Sequence, residues 1–294
     1  MRILISGSTG FLGNSLVEHL QKSGHTVVRL VRSSSHPGIL WDPHKRLIDK
    51  SRLEGFDAIV NLSGETIVGR WTPGKKKKIL ESRLETTSFL VDLILGMKHR
   101  PKAYVSASAI GYYGDKGDDE VTELSKPGND FLADVCIKWE HESNSLSKEG
   151  IRVVHMRTGL VLSPKGGALE KLLLPFKLGL GGPVGSGKQW WSWIDFEDQI
   201  RAYEYVITND KISGPVNGTA PHPVRNIEFV RTLGKVMFRP AIIPLPTLAV
   251  KLILGEMGDS LLLSSQKVQP EVLKIEGFEF KHPELKESLH HLLY

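Results

Sequence analysis

The chain has one cysteine, Cys136, among 294 residues, so an internal disulfide cannot form and no Cys-rich zinc pattern is present. No apolar run approaches the roughly 20 residues that a membrane-spanning helix needs, and no membrane partner is expected. The first apolar stretch, Ile3-Leu4-Ile5, meets Gly7 almost at once and is too short for the core of a signal peptide. A cytoplasmic protein is therefore expected. The sequons Asn61-Leu62-Ser63 and Asn217-Gly218-Thr219 matter only in secreted chains and are set aside. The 11 histidines show no metal-ligand spacing and His290-His291 falls in a terminal helix, so no metal is expected. Charge of one sign is scarce too. With a net charge of +5, the densest block is Lys75-Lys76-Lys77-Lys78, which reads as a solvated helix face rather than a nucleic-acid surface.

What the chain does have is the composition of a globular protein, 40% hydrophobic and 24% charged. Its length suits one nucleotide-binding domain plus a smaller lobe. Short β-rich runs (Arg2–Ser6, Thr26–Val31, Asp57–Leu62, Ala103–Ala107, Arg152–Met156) alternate with longer helical ones that start near Phe11, end near Met97 and cover Phe131–Ser147. Such alternation predicts a doubly wound α/β fold of the Rossmann type, a parallel sheet covered on both faces. After Gly159 glycines and prolines punctuate Pro164–Gly187 and Pro240–Pro246. The division expected is a Rossmann domain over 1–160 and a partly helical substrate lobe over 161–294, with some of its strands returning to the core sheet.

Gly7-Ser8-Thr9-Gly10-Phe11-Leu12-Gly13 follows a strand and opens a helix. The first glycine permits a tight turn, the second lets backbone amides approach a pyrophosphate, and the third lets helix and strand pack closely. Gly7, Thr9, Gly10, Phe11, Leu12 and Gly13 are thus candidate cofactor residues. At the end of the second strand, where an acid would bind the ribose 2′-hydroxyl of NAD, stand Arg32 and Ser33. A guanidinium there grips a 2′-phosphate with charge-assisted hydrogen bonds, which points to NADP(H); a solvent-exposed arginine is the plainer alternative. Leu62, Ser63 and Gly64, after the third strand, are expected on the adenosine side, because ligands of open α/β sheets lie over the carboxyl ends of strands.

With these motifs the chain resembles the extended short-chain dehydrogenase/reductase superfamily. It is similar in particular to the atypical NAD(P)-dependent epimerase-like proteins of the cell-division-inhibitor SulA-homologue type. The resemblance runs the full length through Gly7–Gly13, Asn61–Glu65, Ser82–Thr87, Phe131–Ala133, Trp139-Glu140, Arg157-Thr158-Gly159, Leu174-Pro175-Phe176 and Gly181-Gly182-Pro183. A further block, Gly255–Val268, looks like that branch's own C-terminal domain. The resemblance implies a Rossmann core, NADP(H), Arg83 reaching the cofactor, and Gly159 and Val161 near the nicotinamide. Surface pairing with Glu85 is the other reading of Arg83.

Enzymes of that superfamily use a strand-end serine, a helical tyrosine and a lysine four residues later, the last two on one helix face. Ser106-Ala107-Ser108 ends a strand, and Ser108 matches the family's hydroxyl, with Ser106 beside the cofactor. Counting back from Trp139-Glu140, the tyrosine and lysine positions fall on Leu132 and Cys136, or with a shift of one residue on Phe131 and Val135, and neither register supplies a proton donor; Cys136 reads as a small packing residue. Tyr112 and Lys116 have the right spacing but lie among Gly114, Asp115 and Gly117, in a loop. Three alternatives stand: Ser108 with Tyr112 or Tyr113 supplies an unusual acid, the substrate brings its own, or NADPH binds without fast turnover. Lys138, four after Asp134, reads as a surface ion pair. The run Gly185–Asp195 resembles the substrate loop of sugar-nucleotide epimerases, where Trp190 and Trp191 would stack on a ligand and Lys188 would meet a phosphate, unless the tryptophans fill a core. Gly182–Lys188 nearly spells a phosphate loop, but Gln189 replaces the hydroxyl residue that holds Mg²⁺. The expected function is an NADP(H)-binding reductase or epimerase acting on a small carbonyl, alcohol or sugar-nucleotide-like substrate. The alternative is an NADPH-sensing or partner-binding protein with little turnover.

Overall fold

Residues 1–294 are described by a computed structural model. Eight strands form one sheet, in the order Gly214–Gly218, Arg152–Thr158, Ala103–Ala109, Ala58–Asn61, Arg2–Ser6, Thr26–Val31, Ile39–Asp42 and Leu47–Ile48. All neighbours run parallel except the last pair. Because side chains alternate across a strand, a strand buried on both faces must be apolar throughout. Arg2–Ser6 obeys this. Ile3 and Ile5 join Leu16, Leu20, Val105, Met156 and Tyr203 under the helices Phe11–Lys22 and Phe196–Thr208. Leu4 points the other way, to Leu30, Ile59, Phe89, Tyr104 and Val153, under the helix Pro73–Leu95. A separate core of Leu162, Phe176, Trp191, Trp193, Phe229, Leu233 and Leu289 holds the later helices together.

The sheet is the Rossmann-like arrangement expected, with a largely helical C-terminal region. The strand Gly214–Gly218 and the helix Phe196–Thr208, both beyond residue 160, complete the sheet's edge and one of its faces. Gly214–Gly218 tolerates its proline as an edge strand, where the missing N–H costs no ladder bond. One helix differs from the sequence reading for an identifiable reason. The helix begun at Phe131 stops at His141 and resumes over Asn144–Lys148. Between the two pieces the Ser143 hydroxyl donates back to the Glu140 carbonyl at 3.2 Å, the kind of side-chain bond that bends helices. Two short strands, Ile39–Asp42 and Leu47–Ile48, extend the sheet beyond the expected ones. No helix is long and apolar enough to cross a membrane.

The parallel strands all deliver their carboxyl ends to one edge, where Gly7, Leu62, Ile110 and Gly159 follow four of them. The first crossover there depends on a missing side chain. A Cβ on Gly13 would lie 2.1 Å from the Gly7 carbonyl oxygen, whereas one on Gly10 would lie 3.2 Å from it. Gly13→Ala is therefore expected to lower stability by about 1–3 kcal/mol, as overpacking does, and Gly10→Ala by clearly less. Urea denaturation of the two variants checks this; equal midpoints would refute the close packing.

Candidate functional site

The glycine turn is shaped by neighbours that leave no room for side chains. Gly7 has φ +68°, and a Cβ on it would sit 2.6 Å from the Leu62 carbonyl carbon and oxygen. The helix Phe11–Lys22 opens at Gly10 with no side-chain cap, so its first-turn N–H groups face outward, unsatisfied and favourable to an anion. Thr9 and Gly10 are exposed, and Leu12 is half-buried. Phe11 packs against Phe196 with ring centroids 4.8 Å apart and planes tilted by 46°. Arg29 holds the turn from beneath, donating to the Ser8 carbonyl at 2.6 Å and to Asn14 at 3.1 Å.

Arg32 and Ser33 are exposed beside this turn. The nearby Glu65 carboxylate is taken by Lys75 at 2.6 Å, which leaves Arg32 uncommitted. The lysine run is not merely a solvated face: Lys75 pairs with Glu65, Lys76 with Glu256 at 2.5 Å and Lys77 with Glu81 at 3.6 Å. Arg83 does not pair with Glu85. It donates to the carbonyls of Glu65 at 3.0 Å and Ile79 at 2.9 Å, and its guanidinium lies 4.9 Å over the Trp139 ring. A Cβ on Gly64 would touch it at 3.1 Å. Burial lowers the Arg83 pKa, and no carboxylate bonds to it. Beneath Leu62 and Ser63 a buried network fixes the third strand end: Ser6 donates to Asn61 at 2.7 Å, and Asn61 donates to Thr87 at 3.0 Å and Tyr104 at 3.1 Å. These residues fit a dinucleotide carrying an extra phosphate. The glycines form a cradle that any Cβ would fill, and two guanidiniums without acidic partners stand beside it.

The region of the missing proton donor is built around Arg157. This arginine comes from a strand interior and is almost wholly buried. Its Nε and Nη2 donate to the two oxygens of Glu140 at 2.9 and 2.8 Å, and its Nη1 donates to the Tyr113 hydroxyl at 3.1 Å and the Glu123 carbonyl at 3.3 Å. Its guanidinium lies 3.4 Å from the centroid of the Tyr112 ring. Against burial, which depresses it, the Glu140 carboxylate holds the Arg157 pKa above its ordinary value. Ser108 then donates to the same carboxylate at 2.7 Å. The structure thus joins Ser108, Glu140, Arg157, Tyr112 and Tyr113 in one cluster.

Three expectations are corrected here. Tyr113 has no exposed surface and its hydroxyl donates to Asn217 at 2.7 Å; burial pushes its phenol up to about 12, so it is a framework group with no proton to offer a ligand. Ser106 lies in mid-strand, 1% exposed, with its hydroxyl on the Ala107 carbonyl, and has almost no surface to present to a cofactor. Trp191 is buried against Phe229, ring centroids 5.2 Å apart, and fills the C-terminal core. Tyr112 is half-buried, and Ile110–Tyr113 forms a single 3₁₀ turn, so Tyr112 and Lys116 share no helix face. Leu132 and Cys136 are buried. Burial pushes the Cys136 thiol up to about 11, which makes it inert. Lys138 pairs with Asp134 at 2.7 Å.

On the substrate side Lys188 is exposed, and Trp190 is half-buried beneath Arg225 at 4.5 Å, with its indole N–H on Asp118 at 3.0 Å. Gly159 passes so close to Ser192 that a Cβ would lie 2.6 Å from that carbonyl oxygen. Val161, half-buried, pairs with Ile194 in a short parallel ladder. Sequence reading missed Glu140 and Arg157 as site residues. The available signal was the charge at the end of Arg-Val-Val-His-Met-Arg, an otherwise buried strand.

Residues 3–217 match the NAD dependent epimerase/dehydratase family, and residues 245–292 match a domain of unknown function, DUF1731. The chloroplastic homologue of epimerase family protein SDR39U1 in Arabidopsis thaliana is 40% identical over 98% of this chain and 86% of its own. The crystal structure of human epimerase family protein SDR39U1 (isoform 2) with NADPH is similar with TM-score 0.93 at 37% identity, covering 99% of both chains. A nucleoside-diphosphate sugar epimerase from Corynebacterium glutamicum gives 0.81 at 34% identity, over 100% of this chain and 58% of that one.

Removing Arg157 strands the Glu140 carboxylate in a buried place. Arg157→Met is expected to cost about 3–5 kcal/mol, the usual penalty for breaking one side of a buried pair. Replacing both partners, Arg157→Met with Glu140→Leu, should cost much less than twice that. Chemical denaturation of the single and double variants checks it; simple additivity would show that the pair is not coupled.

Proposed function

We propose, for a chain that belongs to the NAD dependent epimerase/dehydratase family, that it binds NADP(H) and acts as a reductase or epimerase on a small carbonyl, alcohol or sugar-nucleotide-like substrate. The observation that carries this is the pairing of a glycine cradle with an uncommitted Arg32 at the end of the second strand. The NADPH in the crystal structure of the human relative supports it. Gly7, Thr9, Gly10, Phe11, Leu12 and Gly13 would hold the pyrophosphate, Arg32 and Ser33 the 2′-phosphate, Leu62, Ser63, Gly64 and Arg83 the adenosine side, and Gly159 and Val161 the nicotinamide. When bound, the nicotinamide supplies or accepts a hydride.

The chain's own part is proton handling. Because Ser108 gives its proton to Glu140, its Oγ meets a substrate hydroxyl as an acceptor. A substrate proton passes to Ser108 while the serine proton passes to the carboxylate, which suits drawing a proton from an alcohol. Tyr112, the half-buried phenol beside this cluster, is the remaining candidate donor. Trp190 and Lys188 form the substrate wall in this reading.

A second reading, an NADPH-sensing or partner-binding protein with little turnover, is favoured by one observation: Leu132 and Cys136, which the sequence resemblance aligns with the tyrosine and lysine, are both buried. It is the reading to which the finer resemblance, the SulA-homologue type, belongs, and it predicts a protein whose capture depends on added NADPH.

Wild-type protein is expected to bind NADPH much more tightly than NADH. Arg32→Ala should weaken NADPH binding about 10- to 100-fold, the worth of hydrogen bonds to a charged group, and leave NADH binding unchanged. Fluorescence titration checks this. Equal binding of both cofactors by the wild type, or an unaltered NADPH affinity in Arg32→Ala, would overturn the assignment.

A further inference from the structure

Away from the cofactor edge, the N-terminus of the helix Phe196–Thr208 meets the C-terminal helix Leu285–Leu293 through a cluster of potential metal ligands. A carboxylate oxygen of Asp195 and one ring nitrogen each of His282 and His291 lie within 4.8 Å of one another. The Glu197 carboxylate lies 3.6 Å from His282 Nε2 and 3.7 Å from His291 Nε2. Those two separations are too long for hydrogen bonds. They are close to the donor-donor spacing of about 3.3 Å that four ligands at about 2.0–2.1 Å impose around a tetrahedral ion. The two imidazole rings stand face to face, centroids 4.0 Å apart and planes 13° from parallel, with neither ring side chain hydrogen-bonded. Asp195 is fully buried, and its oxygens accept only from the Glu197 N–H at 2.8 Å and the Ser288 hydroxyl at 2.7 Å. Lys281 is paired with Glu197, so two carboxylates face one ammonium and the cluster is short of positive charge.

We propose that Asp195, His282 and His291, with Glu197 beside the two imidazoles, form a binding site for a zinc-type divalent cation, which pins the C-terminal helix to the helix Phe196–Thr208. Two imidazoles with carboxylates are the donor set of a borderline ion such as Zn²⁺, and unlike the all-oxygen sets of Mg²⁺ or Ca²⁺. A lone pair lies in the plane of its ring, so binding needs one imidazole to turn out of the stack. His291, whose side chain is 44% exposed, has the space to do so. Spacing along the chain hid the site, because its ligands come from segments far apart in sequence. The neighbouring His290 packs on Tyr294 instead, which provides an internal control.

The test uses the full chain, stripped with a chelator and titrated with Zn²⁺ by calorimetry, alongside thermal unfolding with and without the ion. One equivalent of Zn²⁺ is expected to bind and to raise the unfolding temperature, as any ligand specific to the folded state does. His291→Ala should weaken the affinity at least tenfold and abolish the thermal shift, while His290→Ala should change neither. Asp195→Asn removes a ligand charge and should likewise weaken binding, provided its circular dichroism matches the wild type. Absence of stoichiometric binding by the wild type, undiminished binding by His291→Ala, or equal losses in His290→Ala and His291→Ala would each overturn the site.

Discussion

One charge organises the middle of this molecule: Arg157, in a buried strand position where an aliphatic side chain would be the ordinary choice. Desolvating a guanidinium costs several kcal/mol, and a single carboxylate recovers that cost only with good geometry and further hydrogen bonds. Both conditions are met. Glu140 binds it through two parallel bonds, Tyr113 and the Glu123 carbonyl take bonds from Nη1, and Tyr112 covers one face. The rest follows from that neutralisation. Ser108 turns toward Glu140 because the carboxylate is there, and Tyr113 is held between Arg157 and Asn217, on the adjacent strands Arg152–Thr158 and Gly214–Gly218 at the sheet edge.

The C-terminal region is part of the same arrangement. Asn217 donates to the Gln269 carbonyl at 2.9 Å, and the buried Glu123 carboxylate accepts from the Asn217 and Val272 N–H groups at 3.0 and 3.3 Å. Gln266 donates to the carbonyls of Ile110 and Gly114, both at 3.1 Å, and so clasps the turn that carries Tyr112. The position of Tyr112 is therefore set from two sides, by Arg157 beneath its ring and by a segment about 150 residues later. A turn of four residues has too few internal bonds to fix a side chain by itself, which explains why a C-terminal domain is coupled so closely to this edge of the sheet.

The sheet was legible in the sequence because buried parallel strands are apolar runs and the helices between them carry their own spacing; Ile3 to Ile5 and Ala58 to Val60 announce themselves. The glycine turn was legible for the same local reason, since steric exclusion at Gly7 and Gly13 acts between residues close to one strand end. The polar cluster was not. Glu140 served as a ruler for locating Leu132 and Cys136, and nothing in a helix pattern says that its carboxylate faces an arginine on the adjacent sheet. Tyr113 and Trp191 were misread because composition marks aromatics as candidates for stacking without saying which are enclosed.

Burial at position 136 bears on the electrostatics of this edge. A lysine there would lower the pKa of a neighbouring phenol and make it a ready acid. Here the thiol is held neutral by burial, with a pKa of about 11, and the one cation in the cluster, Arg157, is spent on Glu140. Burial drives Tyr113 up to about 12, outweighing the lowering that Arg157 exerts on it. What remains is a hydroxyl whose proton is directed into a salt-bridged carboxylate. That hydroxyl is oriented by the same Glu140 that makes the buried arginine tolerable.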